Sequence, residues 1–330
     1  MADIKAIKEL ALYAAKKQVP AAFANKTVAD VNEALRSELK ELCGTYNLYR
    51  RNKLDLFEIM QETMDAVVPA EVMNVVSQFA EVKTYANGVK PSFKIKKGKI
   101  RARKFATRAT ASGVYETFRL DTDTIDVNTF VIGDAAYIDF ERFLNGDEDW
   151  ADYMEALMDG ILHKIYKEIF AELMNGAALL ETNKRTDKGS YSKDDLLALI
   201  KIVRAYGDPV IVATTDYINA MGADEIGTET YADDDINNIH NYGRIFTFRG
   251  VPVVELPVSY EDETNTTEVF GGQYAFVLPS SGHKVVKVAF EGNTIVKDWE
   301  NRDNSMEIQA YKKMGVAIVT GNNWALHEIN

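Results

Sequence analysis

Residues 147–176 read DEDWADYMEALMDGILHKIYKEIFAELMNG, and their spacing is that of one long helix. Apolar pairs fall at 153/154, 157/158, 161/162, 165/166, 169/170 and 173/174, returning to one face with each turn. Gly176 is expected to end the run. A helix over about 149–175 is roughly 40 Å long, enough to cross a whole domain and organise what packs on it.

Upstream of this helix lies Phe93 to Phe105, FKIKKGKIRARKF, in which apolar and cationic residues alternate on either side of Lys97-Gly98. The pattern predicts a long two-stranded hairpin turning at that dipeptide. So few apolar side chains cannot make a core strand, so the hairpin needs an external surface. From Lys83 to Arg108 the chain carries ten Lys or Arg and no acid, among them Lys90, Lys94, Lys96, Lys97, Lys99, Arg101, Arg103, Lys104 and Arg108. Acids gather elsewhere, at Asp147, Glu148 and Asp149, through Asp224 to Asp235 with Asp233, Asp234 and Asp235, and at Glu261, Asp262 and Glu263. This segregation would let the basic segment of one copy meet acidic surface on another. The other readings of the basic segment are nucleic-acid contact, membrane contact or a solvated face. Only Phe93 and Phe105 are present for base stacking, and a membrane would want a wider apolar face.

Downstream, Ser192 is a helix N-cap with Asp194 and Asp195 in the first turn. The helix runs to about Tyr206, and Gly207-Asp208-Pro209 leads into the buried strand PVIVAT. Gly243 to Pro257, GRIFTFRGVPVVELP, reads as two short strands about Gly250, and Tyr274 to Leu278 begins a run of strands to the end. Residues 1 to 68 are amphipathic and helical, with Ile4, Ile7, Leu10 and Ala14 on one face and Val28, Val31, Leu35 and Leu42 on another. Pro20 divides them, Thr27 and Asp30 supply a capping signal, and no large strand signal precedes Val72. The class is α+β, with no internal repeat and no linker that would separate independent domains.

The 330 residues are 46% hydrophobic and 27% charged, a composition that folds in water. The one cysteine, Cys43, makes no internal disulfide, which suits a reducing cytoplasm, and beside Leu42 it reads as an inert buried thiol. The amino terminus lacks the apolar run of a signal peptide, no stretch reaches membrane-spanning length, and a net charge of −12 argues against general nucleic-acid affinity. The four histidines, His163, His240, His283 and His327, have no recognisable partner, and no second His follows His327-Glu328. Asp121-Thr-Asp123-Thr-Ile-Asp126 begins like a calcium loop, yet Asp126 stands where glycine is needed and Ile132 where a bidentate Glu is needed. A solvated turn is expected there. Asp233 to Asp235 would at most hold a divalent ion weakly, and no GxxxxGK[ST] or GxGxxG occurs. No catalytic residue, metal site or cofactor is therefore assigned. An enzyme would need Asp121, Asp123 and Asp233 to Asp235 to converge in one pocket.

The order of parts resembles the tailed-bacteriophage major capsid protein family, the Hong Kong 97-type fold shared with encapsulin compartments and the floor of herpesvirus capsids. A helical arm is followed by the basic hairpin, similar to the family's extended loop, and then by the helix of 147–176, similar to its spine helix. SKDDLLALIKIVRAYGDPVIVATTDYINAM followed by YGRIFTFRGVPVVELP is similar to the axial domain, and Gly250-Val-Pro252-Val-Val254 matches its G-x-P-V-V strand. YAFVLPSSGHKVVKVAFEGNTIVKDW through NSMEIQAYKKMGVAIVTGNNWALHEI resembles the peripheral sheet and closing strands, so the likeness covers Val72 to Ile329.

The resemblance implies an arm over 1–70, a peripheral domain over 71–190 and 284–314 with its extended loop at about 84–118, and an axial domain over 191–283 and 315–330. It implies self-assembly into hexamers and pentamers of an icosahedral head enclosing DNA without sequence-specific binding. It also implies portal, scaffolding or decoration proteins as partners, no membrane, assembly in the host bacterial cytoplasm and residence in the virion. Some members crosslink a loop lysine to a neighbour's asparagine with help from a glutamate; Lys94 to Lys104, Asn301 or Asn304, and Glu307 are of those types, with no motif to align them. No cleavage site for an amino-terminal scaffolding segment is read. The alternatives are an encapsulin-like compartment shell and a nucleic-acid binder working through the basic hairpin.

Overall fold

Thr27 and Asp30 start the second helix as a capping box: the Thr27 backbone N–H donates to the Asp30 carboxylate at 2.7 Å, and the Asp30 N–H donates to the Thr27 hydroxyl at 3.3 Å. The computed structural model describes residues 4–20, 26–97, 121–137, 150–205, 207–226, 247–256, 260, 264–281, 284–300, 306–319 and 324–329. Three helices lead the chain, α1 (Ile4–Ala15), α2 (Val28–Cys43) and α3 (Tyr46–Val76). α3 contains Pro69 and continues past residue 70, so a boundary drawn there falls inside a helix. Ile7, Leu35, Leu56, Ile161 and Phe290 belong to one core, which joins all three helices to the long helix and to a sheet.

The long helix, α4, spans Trp150–Ala177. Met154, Met158, Ile161, Ile165, Ile169 and Leu173 are all buried, the stripe that the apolar pairs predict. Gly176 does not end it: the residue lies inside the last turn, and a Cβ there would stand 2.9 Å from Ile318 Cγ2 and 3.2 Å from Trp324 Cζ2. The glycine serves a close helix-to-sheet approach instead of a cap.

That sheet has four strands in the order β1 (Ala80–Tyr85), β10 (Val286–Glu300), β11 (Met306–Ile318), β4 (Phe130–Tyr137). β1 runs parallel to β10, and the other pairs are antiparallel. A register shift between Glu291 and Ile295, with Gly292 at φ 68°, interrupts β10 midway.

A second sheet orders six strands as β5 (Arg185–Lys188), β12 (Ala325–Ile329), β9 (Gln273–Pro279), β6 (Pro209–Ala213), β8 (Val251–Glu255), β7 (Thr247–Phe248). Helix α5 (Lys193–Arg204), capped by Ser192, buries Leu196, Leu199, Ile200 and Val203 on it, and α6 (Thr215–Ile226) follows β6. β7 and β8 turn on Arg249 and Gly250, both at positive φ, as the reading about Gly250 requires.

Of the hairpin expected to turn at Lys97-Gly98, only the first strand is described, and residues 98–105 lie outside the described residues. β2 (Ser92–Lys97) pairs antiparallel with β3 (Asp121–Asp126), with Phe93 opposite Ile125, Lys94 opposite Thr124 and Lys97 opposite Asp121. The segment 121–126, expected to be a solvated turn, is thus a strand. Charge favours this pairing. A turn at Lys97-Gly98 would set Lys96 against Lys99 and Lys94 against Arg101, and like charges directly opposite destabilise a strand pair. The DTDTID strand offers β-branched threonines and acids instead.

Candidate assembly surfaces

The base of the basic segment is fastened to one face of the four-stranded sheet by a single aromatic plug. Phe93, fully buried, packs on Val127 and Ala289 with Tyr85 and Ala317 beside them. Tyr85 meets its edge at 6.1 Å between ring centroids, and Lys83 and Lys287 lie 4.8 and 5.6 Å from that ring. Lys287 has no exposure and is neutralised by Glu81, which also pairs with Lys83 at 2.7 Å. Burial alone would raise the Glu81 carboxyl, but hydrogen bonds from the two lysines outweigh it and hold the group below its ordinary value.

Polar bonds then hold the root in place. The Thr129 hydroxyl donates to one Glu291 oxygen at 2.7 Å, and the Gly88 backbone N–H donates to the other at 3.1 Å. Those two donors, with Lys313 at 3.6 Å, keep the Glu291 carboxyl below its usual range. Tyr85 donates to the Ser92 carbonyl at 2.6 Å, and Lys90 pairs with Asp126 at 2.5 Å. Glu291 sits where the β10 register shifts, so both chain segments leading into the β2–β3 pair end on the interrupted part of the sheet.

Of the predicted basic residues, Lys90 is thus engaged within its own chain, Lys94 is exposed on β2, and Lys96 and Lys97 continue that strand. Lys99, Arg101, Arg103, Lys104 and Arg108 lie outside the described residues, as do Asp147, Glu148, Asp149, Asp233, Asp234, Asp235, Glu261, Asp262 and Glu263. Glu307 faces Trp299 and Tyr137 in the strand register, and Asn301 and Asn304 lie outside the description. Sequence reasoning missed Phe93 as a plug, and it missed Glu81 and Glu291 as the acids that organise the root. Only Phe93 carried a signal, as one of the few apolar residues in a cationic run.

The opposite face of the same sheet is held by charge as well. Lys312, buried, pairs with Asp65 of α3, and the Thr294 N–H and hydroxyl donate to the same carboxylate at 2.8 and 2.6 Å. Lys53 of α3 adds a pair to Asp298 at 2.9 Å.

Among the described residues no three His, Cys, Asp or Glu gather as a metal site, and no helix is long and apolar enough to cross a membrane. A cavity of about 560 Å³ between the end of α1, α3 and α4 is lined by Lys16, Lys17, Glu71 and Asp159 with Val67 and Met158. Its walls hold neither His nor Cys. Burial pushes the Cys43 thiol up to about 12, as expected of an inert thiol. His327, given no partner from sequence, lies fully buried with Nδ1 3.1 Å from the Tyr217 hydroxyl. Burial holds its imidazole below the ordinary value, against the pull of Asp195. Asp121 and Asp123 stand on β3, and Asp233 to Asp235 lie outside the described residues.

Known proteins bear on this arrangement at two levels. A chain from Microbacterium phage Oxtober96 is 11% identical, with 78% of this chain and 90% of that one covered and a TM-score of 0.49. The mature capsid of bacteriophage PhiM1 is 9% identical over 77% of this chain and 86% of that one, with a TM-score of 0.47. The SrpI encapsulin of Synechococcus elongatus PCC 7942 is 14% identical over 74% and 84%, with a TM-score of 0.41. No curated protein sequence matches the chain. The family described as "SPbeta prophage-derived putative capsid protein YonB" matches residues 6–328, nearly the whole length. With that span the chain belongs to the YonB family of prophage-derived capsid proteins.

Proposed function

We propose that this capsid protein is the major shell subunit of its phage head, assembling with copies of itself into hexamers and pentamers of an icosahedral shell that encloses the DNA genome. The observation that carries the reading is the family match over residues 6–328. The anchored β2–β3 pair supports it: Phe93, Glu81 and Glu291 hold that pair to the body, as a segment that is to reach a neighbour requires. The four-stranded sheet with α4 and the amino-terminal helices forms the peripheral unit, and the six-stranded sheet with α5 and α6 forms the axial unit. Because β5 pairs with β12, the axial unit begins before residue 190.

The basic arm, with Lys94, Lys96, Lys97, Lys99, Arg101, Arg103, Lys104 and Arg108, lies over acidic surface of the adjacent copy, where Asp147 to Asp149, Asp233 to Asp235 and Glu261 to Glu263 are the partners. Many weak ion pairs of this kind set register more than affinity. The role is structural, the place is the virion, and assembly is in the host cytoplasm with portal, scaffolding or decoration proteins.

Negative-stain microscopy and sedimentation of the expressed full chain test this. Capsomers or closed particles are expected, and a chain that stays monomeric across salt and crowding conditions overturns the reading. Neighbouring terminase, portal and protease genes separate a phage head from an encapsulin compartment.

A further inference from the structure

The root of the basic arm covers only half of the sheet face on which it sits. Beyond its register shift β10 alternates: Val296 is buried while Ile295 and Lys297 are exposed, and on β4 Ile132 is buried between exposed Val131 and Gly133. In register, Val131 faces Lys313, Gly133 faces Tyr311 and Ile295 faces Tyr311, so these residues share the face that carries Glu291. On the covered side of the register shift, Phe93 closes over Ala289 and Lys287, and both are fully buried. On the other side Val131 is 56% exposed and Ile295 41% exposed.

The two halves have the same chemistry. The covered half holds an aromatic ring between Lys83 and Lys287, with the carboxylate of Glu81 across them. The uncovered half holds Tyr311 with Lys297 5.4 Å from its ring and with Lys313 alongside. Of the acids on this face, Glu291 is engaged by Thr129, Gly88 and, at 3.6 Å, Lys313, and Glu307 stands two positions along β11 from Gln309, the register partner of Lys297. An occupant that matches the covered half brings an apolar or aromatic side chain flanked by carboxylates.

We propose that the uncovered half, formed by Val131, Ile295, Lys297, Tyr311 and Lys313, seats a second copy of this chain, which lays an acid-flanked apolar segment across it. This rests on the shell reading, and it adds a receiving surface distinct from the basic arm. Charge selects the partner: the chain carries a net −12 and three acid-rich segments, and in a shell its commonest neighbour is itself. Duplex DNA fits poorly, because Lys297 and Lys313 are too few cations for phosphate-driven affinity.

Val131→Asp/Ile295→Asp and Lys297→Glu, made in the full chain, test the surface, with Lys313 kept because it also pairs with Glu291 of the root. Exposed positions leave folding intact, so melting should shift by no more than about 2 °C. The protein concentration needed for capsomer or particle formation should rise at least about tenfold. Variants that assemble at the wild-type concentration overturn the proposal while leaving the shell reading standing. A wild-type chain that never assembles overturns both. A second measurement places a benzophenone at Ile295→Cys, since native Cys43 is buried, in a mixture of light and heavy nitrogen copies. Adducts should join heavy to light chains and map to an acid-bearing segment. Adducts confined to one chain, or captured on added duplex DNA in their place, overturn it.

Discussion

Strand β6 is buried at all five positions with aliphatic side chains and a proline, whereas β10 and β11 bury Lys287, Glu291, Thr294 and Lys312. Both sheets pack by apolar contact, and β12 of the six-stranded sheet buries His327 and Glu328, but among the described residues only β10 and β11 bury lysines. The buried polar groups of β10 and β11 reach different partners: Lys287 reaches Glu81 of the edge strand β1, Glu291 reaches Gly88 and Thr129 beside the β2–β3 pair, and Lys312 with Thr294 reaches Asp65 of α3. Apolar burial supplies adhesion and tolerates sliding, while a satisfied buried ion pair supplies orientation. The sheet that carries the β2–β3 pair is the one whose buried lysines orient what packs on it.

The sharpest way to break this contrast is to truncate one side chain in each sheet. Phe276→Ala on β9, where Phe276 is fully buried, should cost about 4 kcal/mol in thermal or denaturant unfolding. Lys312→Met should cost about 3 kcal/mol, at the low end for breaking a buried pair because Asp65 keeps some contact with water. A second change, Asp65→Leu, should recover much of that loss, since it removes the stranded carboxylate. No single change should rescue the Phe276 cavity. Equal rescue in both sheets would erase the distinction.

A smaller effect should appear with pH in the six-stranded sheet, where His327 is the buried titrating group beside Tyr217. Its folded pKa lies below the ordinary 6.5, so the unfolded chain takes up the proton first. The associated stability is fully present above pH 6.5 and falls as pH drops toward the folded value. His327→Gln should flatten stability across that window, and an unchanged slope would assign the effect elsewhere. The smallest effect should come from Lys90→Ala. Its pair with Asp126 is exposed on both sides, so the cost should be about 0.5 kcal/mol or less by denaturant titration.

Legibility followed the range of the interactions. The α4 stripe from Met154 to Leu173, the capping box of Thr27 and Asp30, and the Arg249-Gly250 turn are decided by neighbours within a few residues, and all three were readable. The pairing of β2 with 121–126 was not, because the DTDTID segment read locally as a turn and its partner lies more than twenty residues away. No signal in the sequence marks Lys287 and Lys312 as buried, and Glu81 lies 206 residues from Lys287. No periodicity announces a partner at that distance. The family was readable from the order of elements. The residues that fix the arm root were hidden in pairings closed across most of the chain.

The pairing of Lys97 with Asp121 also makes residues 98–120 a place to add to the chain. Its flanking residues are already held side by side by the strand pair, so the loop-closure cost of lengthening it is about 0.6 kcal/mol for each doubling of length. Foreign peptides grafted there should leave the melting temperature of the body nearly unchanged. Their effect on particle yield would then measure how much arm length a closing shell tolerates, with folding taken out of the comparison.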